Sequence, residues 1–293
     1  MAGQILDGKI LAQRIKDALK DEIVLLKNKT GNVPTVVNLL IGDDQASLTY
    51  ANSQKKVAES IGINYKLITM DASTSQEEFL DFIESLNQDP YVNGVMIHNP
   101  VPGTVDYQVL ANRIHSIKDI EGMNLANLGK MVFGKTKIIP CTAAAVMEHI
   151  NFAAVNLNGK EAVIVGRSEI VGKPLILLLL EKNATVTICH SGTSKAGRLV
   201  EHISHADIVI ACAGNPELIK GEWIKKGAVV IDVGINHVGP KIFGDVEYEA
   251  AKERAAFITP VPGGVGPVTV VMLMRNAVEA FKIQTQDKVD VKI

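Results

Sequence analysis

AVIVGRSEIVGKP, residues 162–174, decides the fold. Four apolar residues run straight into Gly166, and Gly172 opens a segment that continues as LILLLL at 175–180. A short buried strand that turns on glycine into an apolar helix is the opening of a dinucleotide-binding βαβ unit. Glycine allows the tight turn and a close backbone approach, and the helix N-terminus offers free N–H groups to a pyrophosphate. The spacing departs from G-x-G-x-x-G: Ser168 stands at the middle glycine and the last glycine falls one place late. A plain strand-to-helix turn is therefore the alternative reading.

Outward from this turn the pattern repeats. TVTIC (185–189), DIVIACA (207–213), AVVIDVG (228–234) and FIT (257–259) read as strands with helical stretches between most of them, after a helix near 142. The first half alternates in the same way. A helix over about 8–27 precedes TVVNLLI (35–41), a helix over about 47–61, YKLITM (65–70), a helix over about 75–88 and GVMIH (94–98), then the turn NPVPG. Alternation of this kind predicts an α/β protein of two domains with parallel sheets. The expected division is 1–141 plus 273–293 for a substrate domain and 142–272 for a Rossmann-type domain. The apolar helix TVVMLMRNAVEAF (269–281) is expected to pack back on the first domain.

The end of the second strand speaks to cofactor choice. An NAD site would place a carboxylate there for the ribose 2′-hydroxyl. The chain reads TICHSGTSK, with His190 and Ser191 and no carboxylate before Glu201, while Arg167 projects from the glycine turn. A guanidinium and a hydroxyl suit a 2′-phosphate, so NADP is expected.

Composition limits the rest. The 293 residues are 47% hydrophobic and 21% charged, with a formal net charge of −2, which gives no electrostatic case for nucleic acid or an anionic membrane. LILLLL is too short to cross a bilayer. The N-terminus MAGQILDGKILAQRIKD lacks the apolar core of a signal peptide. Cys141, Cys189 and Cys212 form no CxxC pair and read as buried thiols, and a cytoplasmic protein is expected. His202 and His205 have metal-like spacing but no evident third ligand, so a solvated helix face is expected and no metal. Asp232 ends a strand and serves cofactor or structure, and EAAKERAA (249–256) reads as an exposed helix face.

Several segments together resemble the methylenetetrahydrofolate dehydrogenase/cyclohydrolase family: VGRSEIVGKP, CHS, KGEWIKKGAVVIDVGIN, GDVEYEAAKERAAFITPVPGGVGPVT and the early ASLTY. The resemblance covers nearly the whole chain. It implies a two-domain homodimer that oxidises 5,10-methylenetetrahydrofolate to the methenyl form with NADP and hydrolyses that to 10-formyltetrahydrofolate. It places Tyr50 against the folate, with Ser47 one turn earlier, and assigns Pro262, Gly263 and Gly264 to the substrate. It gives Gly166, Arg167, Ser168, Ile170, Gly172, Ser191, Ile235 and Thr269 to the cofactor.

Three positions depart from the family pattern. Gln54 stands where the resemblance implies a catalytic lysine, His98 where it implies that lysine's supporting glutamine, and Glu121 where it implies a pterin-binding aspartate. Lys55 and Lys56 are turned by about 100° and 200° from Gln54 on a helix. Hydride loss leaves a cation delocalised over two folate nitrogens and needs no side-chain base, whereas hydrolysis of the methenyl carbon needs general acid and base groups. Tyr50, Gln54, His98 and Glu121 are thus the candidate catalytic residues. The expectation is an NADP-dependent dehydrogenase in one-carbon metabolism with hydrolysis lost or weak. The alternatives are a bifunctional enzyme using His98 and a noncatalytic folate or nucleotide binder. On the first expectation His98 is a hydrogen-bonded pocket residue.

Overall fold

The computed structural model describes residues 2–290, with side chains up to residue 285. In chain order the elements are β1 (Gln4–Ile5), α1 (Gly8–Thr30), β2 (Thr35–Ile41), α2 (Gln45–Ile61), β3 (Asn64–Met70), α3 (Gln76–Gln88), β4 (Gly94–Ile97), α4 (Tyr107–Arg113), α5 (Leu125–Met131) and α6 (Cys141–Phe152). There follow β5 (Glu161–Val165), α7 (Gly172–Leu180), β6 (Thr185–Cys189), α8 (Ser191–Lys195), α9 (Leu199–His205), β7 (Ile208–Ala211), β8 (Val229–Asp232), β9 (Asn236–Val238), β10 (Lys241–Phe243), α10 (Tyr248–Lys252), β11 (Phe257–Ile258) and α11 (Val265–Asp290).

Two compact units divide the chain. One comprises Arg14–Cys141 with the segment from Val270 on, and the other the N-terminal residues through Gln13 with Thr142–Thr269. The expected boundaries at 141/142 and 272/273 therefore shift at the second cut and fail at the N-terminus. There β1 pairs in parallel with β11, so the first 13 residues join the nucleotide-type unit. A two-residue strand carries too little pattern to predict. The ends of the expected division, residue 1 and residues 291–293, lie outside the described residues.

The Arg14–Cys141 unit holds a parallel sheet in the order β3-β2-β4. Strand alternation sends Val37, Leu39 and Ile41 of β2 to one face, where Phe79, Ile83 and Leu86 of α3 cover them. The other face carries Asn38 with Tyr65 and Met96, beneath α2. That helix is held at its start by Asp44, whose side chain accepts from Ser47 N at 2.7 Å, and stopped by Gly62 at φ 88°. Its buried stripe is Ser47, Ala51, Gln54, Ala58 and Ile61, a spacing of three and four residues.

The second unit contains a six-stranded sheet in the order β1-β11-β8-β7-β5-β6, parallel at every pairing. Its strand sequence reverses between β5 and β7, which is where open α/β sheets bind ligands, beyond the carboxyl ends of the strands. A small antiparallel hairpin, β9–β10, lies outside this sheet and was not expected from the sequence. Among the described residues no helix is long and apolar enough to cross a membrane.

Candidate active site

In the nucleotide-type unit the glycine turn is sterically specified. Gly166 has φ 134°, and a Cβ there would meet the Cys212 carbonyl oxygen at 2.2 Å. A Cβ on Gly172 would meet the Gly166 oxygen at 2.4 Å, so helix α7 is pressed against the turn. The backbone of β5's end thus lies against that of β7's end, at the point where strand order reverses. No side chain caps the start of α7, but Lys173 N donates to Ser168 O at 2.9 Å and Pro174 has no N–H, so the N–H this helix start can offer a ligand is that of Gly172. Ser168 folds back instead to accept from Val171 N at 3.3 Å. Arg167 and Ser168 are exposed, and so are Ile170 and Ile235, at 39% and 61%.

Ser191 is the first residue of α8, directly after β6, where His190 caps the helix by accepting from Gly192 N at 3.0 Å. No carboxylate stands at this strand end. The structure therefore brings Gly166, Arg167, Ser168, Ile170, Gly172, Ser191 and Ile235 to the carboxyl edge of one parallel sheet. Thr269 donates to Val265 O at 3.2 Å within α11, close after the Pro262–Gly264 turn. Asp232 is structural: its buried carboxylate accepts from the N–H groups of Gly234, Asp245 and Val246 at 2.9, 3.0 and 2.9 Å. Asp245, missed in the sequence, in turn accepts from Ala213, Gly214 and Asn215 N–H and so fixes the turn after β7.

The exposed-face reading of 249–256 needs correction, because Ala251 and Ala255 are buried in the core of this unit. The three cysteines are free thiols, Cys141 and Cys189 buried and Cys212 half-buried. Among the described residues no cluster of His, Cys, Asp and Glu is arranged to hold a metal.

In the other unit, Gln54 lies over the Asn38 face of the three-stranded sheet, Tyr50 and His98 stand together, and Glu121 acts on Tyr50 through its charge. Gln54 is fully buried. Its Oε1 accepts from Asn38 Nδ2 at 2.6 Å and from the Tyr65 hydroxyl at 3.1 Å, and its Nε2 donates to Met96 Sδ at 3.5 Å. The amide is thereby held on both sides. Lys55 and Lys56 point to solvent, Lys55 toward Glu59 at 3.9 Å, so neither reaches the place of Gln54.

His98 follows β4, with its backbone N donating to Leu39 O at 2.8 Å. The side chain is 2% exposed and its Nε2 has no hydrogen-bond partner among the described residues, which corrects the expectation of a hydrogen-bonded pocket residue. Burial lowers its pKa to about 4, so the imidazole is neutral at neutral pH. Tyr50 stands edge-on to it, ring centroids 6.1 Å apart at 89°. The Tyr50 ring is 37% exposed, yet burial of its hydroxyl end raises the pKa to about 12.

Glu121 completes the group. Its Oε2 accepts from the Tyr107 hydroxyl at 2.8 Å. Burial, opposed by that bond and reinforced by Asp119, raises the carboxyl to about 7. Tyr50 is the common neighbour: it meets His98 edge-on, feels the Gln54 amide, and feels the charge of Glu121. Asn38, Tyr65 and Tyr107 belong to the site and were not predicted. Only Asn38 left a sequence signal, as the single polar residue between apolar ones in VVNLL.

A family model described as the catalytic domain of tetrahydrofolate dehydrogenase/cyclohydrolase matches residues 6–121, and the model of that family's NAD(P)-binding domain matches residues 140–285. The bifunctional protein FolD of Acetivibrio thermocellus is 45% identical over 289 residues, 98% of this chain and 100% of that one. The crystal structure of the bifunctional enzyme FolD, methylenetetrahydrofolate dehydrogenase/cyclohydrolase, from Campylobacter jejuni superposes with a TM-score of 0.92 at 38% identity, covering 96% of this chain and 99% of that one. The Trypanosoma brucei methylenetetrahydrofolate dehydrogenase-cyclohydrolase, solved with NADP and an inhibitor, has a TM-score of 0.92 at 34% identity, covering 97% and 99%. Relatives named bifunctional favour the bifunctional alternative over the expected loss of hydrolysis. With both domain models matched and relatives aligned over nearly its full length, the chain belongs to the tetrahydrofolate dehydrogenase/cyclohydrolase family.

Proposed function

We propose that this protein is an NADP-dependent 5,10-methylenetetrahydrofolate dehydrogenase that also hydrolyses the methenyl product to 10-formyltetrahydrofolate, with His98 as the base. The observation that carries the reading is geometric: the His98 ring stands edge-on to Tyr50, and its Nε2, which has no hydrogen-bond partner among the described residues, is left to a water. The lowered pKa keeps the imidazole neutral but makes it a weak base. Gln54 is unsuited to the task, since an amide does not take up a proton at neutral pH and its oxygen already accepts two hydrogen bonds.

Gly166, Ser168 and the Gly172 N–H at the start of α7 would hold the cofactor's pyrophosphate, with Arg167 and Ser191 on a 2′-phosphate. Bound NADP supplies the hydride acceptor. Tyr50 offers a ring face to the folate, with Ser47 one turn earlier on α2 and the Glu121 carboxyl near the Tyr50 hydroxyl. In hydrolysis the water oxygen bonds to the methenyl carbon and His98 takes the proton released. The carbinolamine then forms its C=O bond as the carbon–N5 bond breaks, N5 gains a proton, and one proton passes to solvent.

A second reading, dehydrogenation alone, is favoured by one observation: the Asn38–Gln54–Tyr65 network closes the place where the family resemblance implies a lysine. Following NADPH and methenyltetrahydrofolate separately in one assay decides between them. Hydrolysis well above the uncatalysed rate, lost by about 10² or more in His98→Gln, supports the proposal. Methenyltetrahydrofolate that accumulates in the wild type selects the second reading, and no turnover of any tetrahydrofolate substrate overturns both. The family resemblance carries with it a homodimer, and sedimentation as a monomer at micromolar concentration would contradict that part.

A further inference from the structure

We propose that Tyr107 is a positioning residue that holds Glu121 as the proton carrier of the hydrolytic half-reaction, a role that rests on the bifunctional reading above. Tyr107 is the first residue of α4, where Asp106 caps the helix by accepting from Gln108 N at 2.8 Å and Val109 N at 3.4 Å. Its ring packs on the core formed by α3 and the sheet. The hydroxyl is therefore fixed by its own surroundings before it meets Glu121 Oε2 at 2.8 Å. A glutamate has one more rotatable bond than the aspartate the resemblance implies, and this contact removes that freedom. Only one carboxyl oxygen is engaged in it, so the other is left to work on a ligand.

The groups around the carboxyl point the same way. Tyr107 faces it from α4, Tyr50 from α2, Cys141 from the start of α6, and Asp119 from its own segment. None of these is a cation. With the carboxyl near 7, Glu121 exchanges a proton at working pH, and the Tyr107 bond acts against burial to keep the carboxylate accessible. In the step, water's first proton goes to His98. As the carbon–N5 bond breaks, its electron pair stays on N5, which takes the proton of the Glu121 carboxyl. The hydroxyl proton leaves to solvent as C=O forms, and the His98 proton restores Glu121. The net change is water consumed and one proton released.

Tyr107→Phe keeps the ring and deletes the hydroxyl. The kcat for hydrolysis should fall about tenfold with little change in KM, and dehydrogenation should fall less. The hydroxyl favours the carboxylate, so its loss should move the Glu121 limb of the hydrolysis pH profile upward by about one pH unit. In Glu121→Gln that limb should vanish. Carbon-13 carboxyl titration, with Glu121 identified by its absence in Glu121→Gln, should show the same upward shift without reference to turnover. A wild type that hydrolyses while Tyr107→Phe leaves rate and profile unchanged overturns the proposal alone. Equal losses in both activities with an unshifted titration also overturn it, reducing Tyr107 to packing. A wild type that does not hydrolyse at all removes the bifunctional reading and this proposal with it.

Discussion

The turn at Gly166 and the face around Gln54, the two candidate sites, are built in opposite ways. At Gly166 the backbone makes the site: a positive φ, two glycines in carbonyl contact and an uncapped helix start. Side chains contribute only at its rim, through Arg167 and Ser191. Around Gln54 the backbone is ordinary sheet and helix, and side chains from β2, β3, β4, α2 and α4 make the site. A backbone site tolerates change around it but not within it. A side-chain site can exchange its residues, and with them its chemistry, while the fold stays the same.

The harshest test of that contrast is Gly166→Ala. The new methyl meets the Cys212 carbonyl at a conformation alanine resists, so NADP affinity should fall by more than about 100-fold, read by fluorescence titration. Retained affinity would show that the turn is not backbone-limited. Gln54→Lys should come next. It takes the acceptor from the Tyr65 hydroxyl, leaves the Asn38 amide with Tyr65 but without its bond to residue 54, and buries an ammonium, so unfolding free energy should drop by about 3 kcal/mol in urea titration. A variant as stable as wild type would mean that this face accepts the family lysine freely.

Arg167→Ala probes the rim. It should raise KM for NADP about 10- to 100-fold while changing KM for NAD little, because only NADP loses a charge-assisted phosphate contact. Equal changes for both cofactors would remove Arg167 from the 2′-phosphate.

Each unit also buries one histidine, His98 in one and His149 in the other, both lowered from 6.5 to about 4 by burial. A histidine with a depressed folded pKa contributes stability that is present above pH 6.5 and lost as pH falls toward 4. His98→Gln should therefore lessen the acid loss in that window by up to about 3 kcal/mol, leaving the share due to His149. An unchanged acid limb would mean that His98 is solvated. The smallest effect belongs to Lys55→Ala, which should leave hydrolysis within about twofold, as expected for an exposed residue outside the network. A large loss there would make α2 supply a lysine base after all.

What was legible follows the same division. Gly166 and Gly172 could be read because a backbone requirement writes itself as glycine at fixed places along the chain. The burial of Gln54 was implicit in the stripe that runs through 47, 51, 54, 58 and 61. Its partners were not, because Asn38 and Tyr65 lie 16 and 11 positions away and meet it only after β2 and β3 pair. Tyr107 and Glu121 are 14 apart across a loop whose path no periodicity describes. β1 escaped for a different reason, since two residues cannot show alternation and its partner is near the far end of the chain.

That pairing of β1 with β11 has a consequence for how the molecule is made. Gln4 is made about 250 residues before its neighbour Phe257, which at common rates of synthesis is some 10 to 50 seconds. The helix-covered unit waits as well, because its last helix begins its share at Val270. Neither unit can be completed from a nascent chain that stops short of these segments, so both mature almost together, after Phe257 and the helix from Val270 have been made.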